Sequence, residues 1–245
     1  MANREAWVAG LGMAINGQAG IAQYLANGSL TWVPSMVTTQ SAWSSGNTPV
    51  ACSDQATGTQ VTNSSHTYVC VKAGAGTSTV APSTGTTTQG AVTGVLSDGF
   101  QWLCLGNATA DMTTLAAANQ AVSQIPFDNR PSAGYGDTYV QLGLSLACGS
   151  SGSAGYTINN LLQYLNPDGS TYGDGLSGGS NLSSALESVG TVPYSAGRST
   201  PIVGTTPFWP FQPQIFRHVI QNNAATLSAS THVVSIRTAV FGLNQ

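Results

Sequence analysis

Charge is what this 245-residue chain has least of: Asp, Glu, Lys and Arg together make up 6% of it, against about 25% in an ordinary soluble domain. Lys72 is the single lysine, and Arg4, Arg130, Arg198, Arg217 and Arg237 are scattered, for a formal net charge of -3. No basic stripe exists to neutralise phosphates, which argues against a nucleic-acid partner. Long apolar runs are missing too. Nothing approaches the ~20 residues a helix needs to cross a bilayer, and Met-Ala-Asn-Arg-Glu followed by a Gly-interrupted stretch lacks the compact apolar region of a signal peptide. The expectation is a chain made in a cytoplasm and not inserted into a membrane.

Clustered metal or nucleophile chemistry is also scarce. Cys52, Cys70, Cys104 and Cys148 are widely spaced with no Cys-x-x-Cys pair, so they read as buried free thiols, with a Cys52–Cys70 or Cys70–Cys104 bridge as the alternative. His66, His218 and His232 lie in strand-like or extended sequence, and no Gly-x-Ser-x-Gly elbow occurs. His218, beside Arg217, reads as a surface or interface residue rather than a ligand. Asp168 and Asp174 share the loop at 166–175, and Glu187 follows. Two acids could serve glycoside hydrolysis, and the oxygen-rich loop is reminiscent of a calcium loop, but its Gly is misplaced and the closing Glu is absent. Solvated turn residues are the simpler reading. No enzyme activity, cofactor or metal is expected.

What is present is strand and turn chemistry. His66 to Val71 alternates, with Thr67, Val69 and Val71 on one face and His66, Tyr68 and Cys70 on the other. Phe100 to Leu105 follows an Asp98-Gly99 turn. Val140, Leu142, Leu144 and Leu146 alternate with Tyr139, Gln141, Gly143 and Ser145, and residues 233–241 repeat the pattern. Residues 156–165 form a short amphipathic element. Met112, Leu115, Ala118 and Val122 share a helical face, so a helix is predicted over 108–122, with a second short one at 182–189. Near the start, Trp7, Leu11 and Ile15 have helical spacing, but the glycines between them weaken a free helix by up to about 1 kcal/mol each. That segment reads as an assembly element or an irregular strand. Between residues 191 and 216 five prolines alternate with Phe208, Trp209, Phe211 and Phe216, an arm that cannot be regular sheet throughout.

One ordered set of residues adds a resemblance. Trp43, Tyr68, Cys70, Ala75 to Ser78, Pro82, Gly85, Asp98, Gly99, Trp102 and Gly106 follow the order of a small module found in tail fibres and other virion proteins of tailed bacteriophages. The chain departs from that pattern by a longer stretch between Cys52 and Asn63 and by added residues at 90–95.

The resemblance implies a virion protein: a head fibre, decoration protein or tail-fibre or tail-tip component, docking on other virion proteins and self-associating, with a trimer favoured. The low charge suits a surface occupied by partners, and by itself equally suits a secreted or extracellular β protein. The fold expected is mainly β, a small antiparallel β module plus a C-terminal β-sandwich or jelly-roll-like domain, with one or two short helices. Its divisions are an assembly segment at 1–33, the module at 34–107 and a β-rich domain at 108–245 that carries the arm at 191–216. Candidate interface residues are Trp7, Leu11, Ile15, Phe208, Trp209, Phe211 and Phe216. A host-surface glycan is the second candidate partner, stacked on Trp43, Tyr68, Trp102 or Trp209. A capsule- or cell-wall-degrading glycosidase is the third reading.

Overall fold

The computed structural model describes residues 4–9, 13–16, 18, 30–38, 41–82, 85–112, 115–133, 136–147, 157–172, 186–193, 202–228 and 232–244, with backbone alone at 4–9 and 242–244. The fold is mainly β, built from three antiparallel sheets, none of them closed.

The first sheet is centred on β9 (Tyr139–Leu146) and β15 (Val233–Asn244). Both strands alternate as their sequences require, with Val140, Leu142, Leu144 and Leu146 buried on the same face as their β15 neighbours Val234 and Ile236. The far edge of β15 is shared by β3 (Val33–Pro34) and β1 (Arg4–Ala9), and the far edge of β9 by β12 (Ile202–Thr205) and β13 (Trp209–Pro210). The second sheet runs β11 (Leu186–Pro193), β10 (Thr157–Tyr164), β14 (Ile215–Asn222), β8 (Phe127–Asp128) and β2 (Ala14–Ile15), with β7 (Asn119–Val122) also on β14. Leu144, Leu146, Ile202 and Val234 of the first sheet share one apolar cluster with Ile158, Val192 and Ile220 of the second. The two sheets therefore form a sandwich.

The third sheet is β4 (Gln60–Asn63), β5 (His66–Lys72) and β6 (Gln101–Asn107). Its alternation sends Val69, Val71, Leu103 and Leu105 into the sandwich core beside Phe127, Leu142 and Ile236. Tyr68, Cys70, Trp102 and Cys104 face the other way, into a cluster roofed by Trp43, Ala51 and Leu96. Both faces of this small sheet are thus covered by the chain itself.

Two expectations need correction. No helix forms in the described part of 108–122: Asp111 N donates to Val37 O, Ala118 N to Asn222 O, and Leu227 N to Leu115 O, so long-range partners take the place of the i to i-4 ladder, and Ala118 turns the chain with φ at 65°. Met112 and Leu115 are buried as the pattern demanded, in an irregular segment. Within 182–189, the described residues belong to β11. At the N-terminus the strand reading agrees with β1 and β2: despite the helical spacing of Trp7, Leu11 and Ile15, a glycine-weakened helix loses to the edges of β15 and β8, while Leu11 lies outside the described residues.

The single helical element among the described residues is a 3-10 turn at Pro131–Ala133.

Candidate functional site

Trp43 and Asp98 meet at Ser78. Its hydroxyl accepts from Trp43 Nε1 at 3.1 Å and donates to Asp98 Oδ2 at 3.3 Å, its amide donates to Asn47 O, and its carbonyl accepts from Gly46 N. Asp98 then takes the amides of Thr79 at 2.8 Å, Val80 at 2.9 Å and Phe100 at 3.2 Å. Burial opposes the charge on Asp98, but these donors outweigh it and hold the carboxyl below its usual range. Gly99, at φ 85°, supplies the positive-φ corner that brings the Asp98 carboxylate round to the loop at 78–80.

Beneath this knot, Tyr68 and Trp102 have no exposed surface. The expectation that their rings stack on a glycan is therefore corrected: Tyr68 spends its hydroxyl on Thr86 O, and Trp102 packs on Phe100 at 6.3 Å. Trp43 is half-buried as the roof of the same cluster.

The candidate interface residues separate in the same way. Ile15, Phe211 and Phe216 lie in the chain's own core, where the Phe216 ring packs against Phe127 and Phe211, each at 5.5 Å; they are not available to a neighbour. Trp209 is 40% exposed and Phe208 half-buried. Trp7 pairs in register with Phe241, itself 43% exposed.

The most developed surface site lies on the outer face of the first sheet. There Gly143 stands opposite Ser235, the Gln141 and Arg237 pair lies to one side, and the Ser145 and Val233 pair to the other. Trp32 sits on Gly143; a Cβ there would come within 3.1 and 3.2 Å of ring atoms Cζ3 and Cη2. The Arg237 guanidinium stacks over Trp32 at 4.3 Å and reaches Phe208 at 5.5 Å, while Nε donates to Gln141 Oε1 at 2.7 Å. Beyond Trp32, a groove of about 400 Å³ runs between the loop carrying Gln55 and Thr57 and the edge strand carrying Val203 and Thr205. Sequence reading missed Trp32 and Arg237, which the pairing of β3 and β9 with β15 unites. The available signal was Gly143, a glycine inside an otherwise regular strand, which marks a close approach.

A second depression, of about 330 Å³, is lined by Asn16, Asp128, Arg130, Ser170, Tyr172 and Ile215, among others. The Asp128 carboxylate accepts Arg130 Nε at 3.0 Å and an outer guanidinium nitrogen at 2.8 Å. Burial opposes that charge, yet the Arg130 contacts win and keep the carboxyl below its ordinary range. Arg217 covers the Tyr172 ring at 3.7 Å.

His218, expected at a surface or interface, is wholly buried. Asn160 Oδ1 can only accept, so the ring proton sits on Nε2, 3.2 Å away, and Nδ1 accepts from Ser35 Oγ at 2.8 Å. Ser, His and Asn in contact have the residue types of a nucleophilic relay. None of the three has exposed surface, so no substrate reaches them, and the chain of bonds serves to tie β14 to β10 and to the segment after β3. Desolvation pushes the imidazole down to about 3.

Of the acids weighed for glycoside chemistry, Asp168 caps its own turn through Ser170 N and Thr171 N, each at 2.8 Å, Glu187 accepts the Tyr164 hydroxyl, and Asp174 lies outside the described residues. Among the described residues no three His, Cys, Asp or Glu side chains converge as a metal site. Cys52, Cys70 and Cys104 are free thiols, and Cys148 is outside the described residues. Burial pushes the Cys70 thiol up to about 12, far from the thiolate that a nucleophile or metal ligand needs.

No protein-family model, curated protein or solved structure matches the chain.

Proposed function

We propose that the chain is a structural component of a tailed-phage virion, of the head-fibre, decoration or tail-fibre and tail-tip kind, which acts by docking onto other virion proteins and by self-association as a closed oligomer, a trimer favoured. The observation that carries the reading is the knot at Ser78: Trp43, Ser78 and Asp98, three of the residues singled out for their order, are joined by direct hydrogen bonds. The surface adds to it. With 6% charged residues and exposed Val50, Val95, Val203, Trp209, Val233 and Phe241, the molecule has little of the interspersed charge that keeps a free monomer soluble.

The deciding measurement is molecular mass by light scattering, for the chain alone and for Trp209→Arg and Phe241→Arg, followed by co-sedimentation with purified phage capsids and tails. The expected result is an oligomer, or stable capture by one particle component, that either substitution weakens. A monomer that sediments with neither would overturn the proposal.

A further inference from the structure

We propose that the open face of Trp32 and the groove beside it form a binding site for an uncharged saccharide. Arg237 occupies one face of the indole at 4.3 Å, and the ring stands with its edge on Gly143. The next residue pair on that side is Arg237 and Gln141; on the opposite side it is Val233 and Ser145. The second face of the indole therefore looks along the sheet toward Ser145, Val233 and Val203, and these residues line the groove.

The lining selects the ligand class. It contains no charged side chain, which disfavours phosphorylated, sulfated or sialylated groups, and its polar members, Gln55, Thr57, Ser145 and Thr205, carry hydroxyls and an amide that both donate and accept. A sugar ring offers the matching pair of surfaces: a C–H face for the flat indole and an equatorial rim of hydroxyls for those side chains. At about 400 Å³ the groove falls in the size range of small-ligand sites and suits one or two sugar rings. An extended peptide could not add to β9, because the backbone of Gly143 and Ser145 is already paired on both sides, with β15 and with β12. The site is independent of the virion reading, and it replaces Tyr68 and Trp102 as the place where a glycan would be met.

The test is titration of the intact protein with maltose, cellobiose, N,N′-diacetylchitobiose and lactose, with sialyllactose as the charged control, read by indole fluorescence and saturation-transfer NMR. At least one neutral disaccharide should bind, and Trp32→Ala should weaken it at least tenfold, about 1.4 kcal/mol. Because Trp32 also braces Gly143, Val203→Lys provides a second variant: Val203 is 69% exposed, so the fold survives while the lysine fills the groove, and the same tenfold loss is expected. Trp209→Ala should leave binding unchanged. Binding that survives Val203→Lys, or no binding by any neutral probe, would overturn the site. A proline-rich decapeptide that quenches Trp32 fluorescence where every saccharide fails would overturn the ligand class.

Discussion

Asp111 and His218 carry opposite pH signatures within a few strands of one another. Burial raises the Asp111 carboxyl to about 6, against the amides of Val37 and Gln124 that partly offset it. The folded chain thus holds this proton more tightly than the unfolded chain does. Its stabilising contribution is full below about 3.8 and is lost as pH rises through about 6. His218 is the reverse. Its ring, held down to about 3 from an ordinary 6.5, favours the folded state above 6.5 and loses that contribution as pH falls toward 3; burial gives His232 the same direction. Between about pH 4 and 6 the slopes of Asp111 and His218 oppose. Urea unfolding of Asp111→Asn at pH 6, 5 and 4 should uncover the histidine slope, a loss of about 1.4 kcal/mol for each unit of acidification. An equally flat profile for parent and variant would count against the assignment. At Asp98, replacement by Ala removes the acceptor of three amides, and a loss of about 2 kcal/mol is expected in the same assay.

Elements explain which features could be read in advance. β5, β6, β9 and β15 were legible because a period of two declares itself within one strand, and the apolar faces of all four point where the alternation requires. The stretch at 108–122 misled because Met112 and Leu115 are core residues at helical spacing, while the groups that decide their backbone, Val37, Asn222 and Leu227, lie about 70 to more than 100 residues away. The outer-face site was illegible for the same reason: Trp32, Gly143 and Arg237 meet only through register. Two predictions belong at this level. Gly143→Ala should push Trp32 off the sheet, shift its fluorescence, and cost about 1 to 3 kcal/mol as an overpacked contact. Deleting residues 1–33 strips β1, β2 and Val33 of β3 from their sheets; the expected product is an aggregate with a bare sheet edge, and a soluble folded monomer on size exclusion would show that these strands are dispensable.

At the scale of the molecule, residues from 1–33, 34–107 and 108–245 share one interior: Met13, Val69, Leu105, Val140 and Phe216 belong to a single cluster. A cooperative unfolding transition is expected, with fluorescence and far-UV circular dichroism coinciding; separate midpoints for the module would contradict it. With so few charges and a sequence pI near 5.3, solubility should be lowest close to that pH.

The place of β15 has a consequence for biosynthesis. It lies between β9 on one side and β1 and β3 on the other, yet Arg4 must wait for Asn244. At roughly 5 to 20 residues per second, β1 leaves the ribosome roughly 10 to 45 s before its partner exists. During that interval its backbone donors and acceptors, with those of β3, stand open beside every other nascent copy. The first sheet is therefore completed only once β15 has emerged, so chaperone supply during synthesis should govern the soluble yield more strongly than the stability of the finished fold.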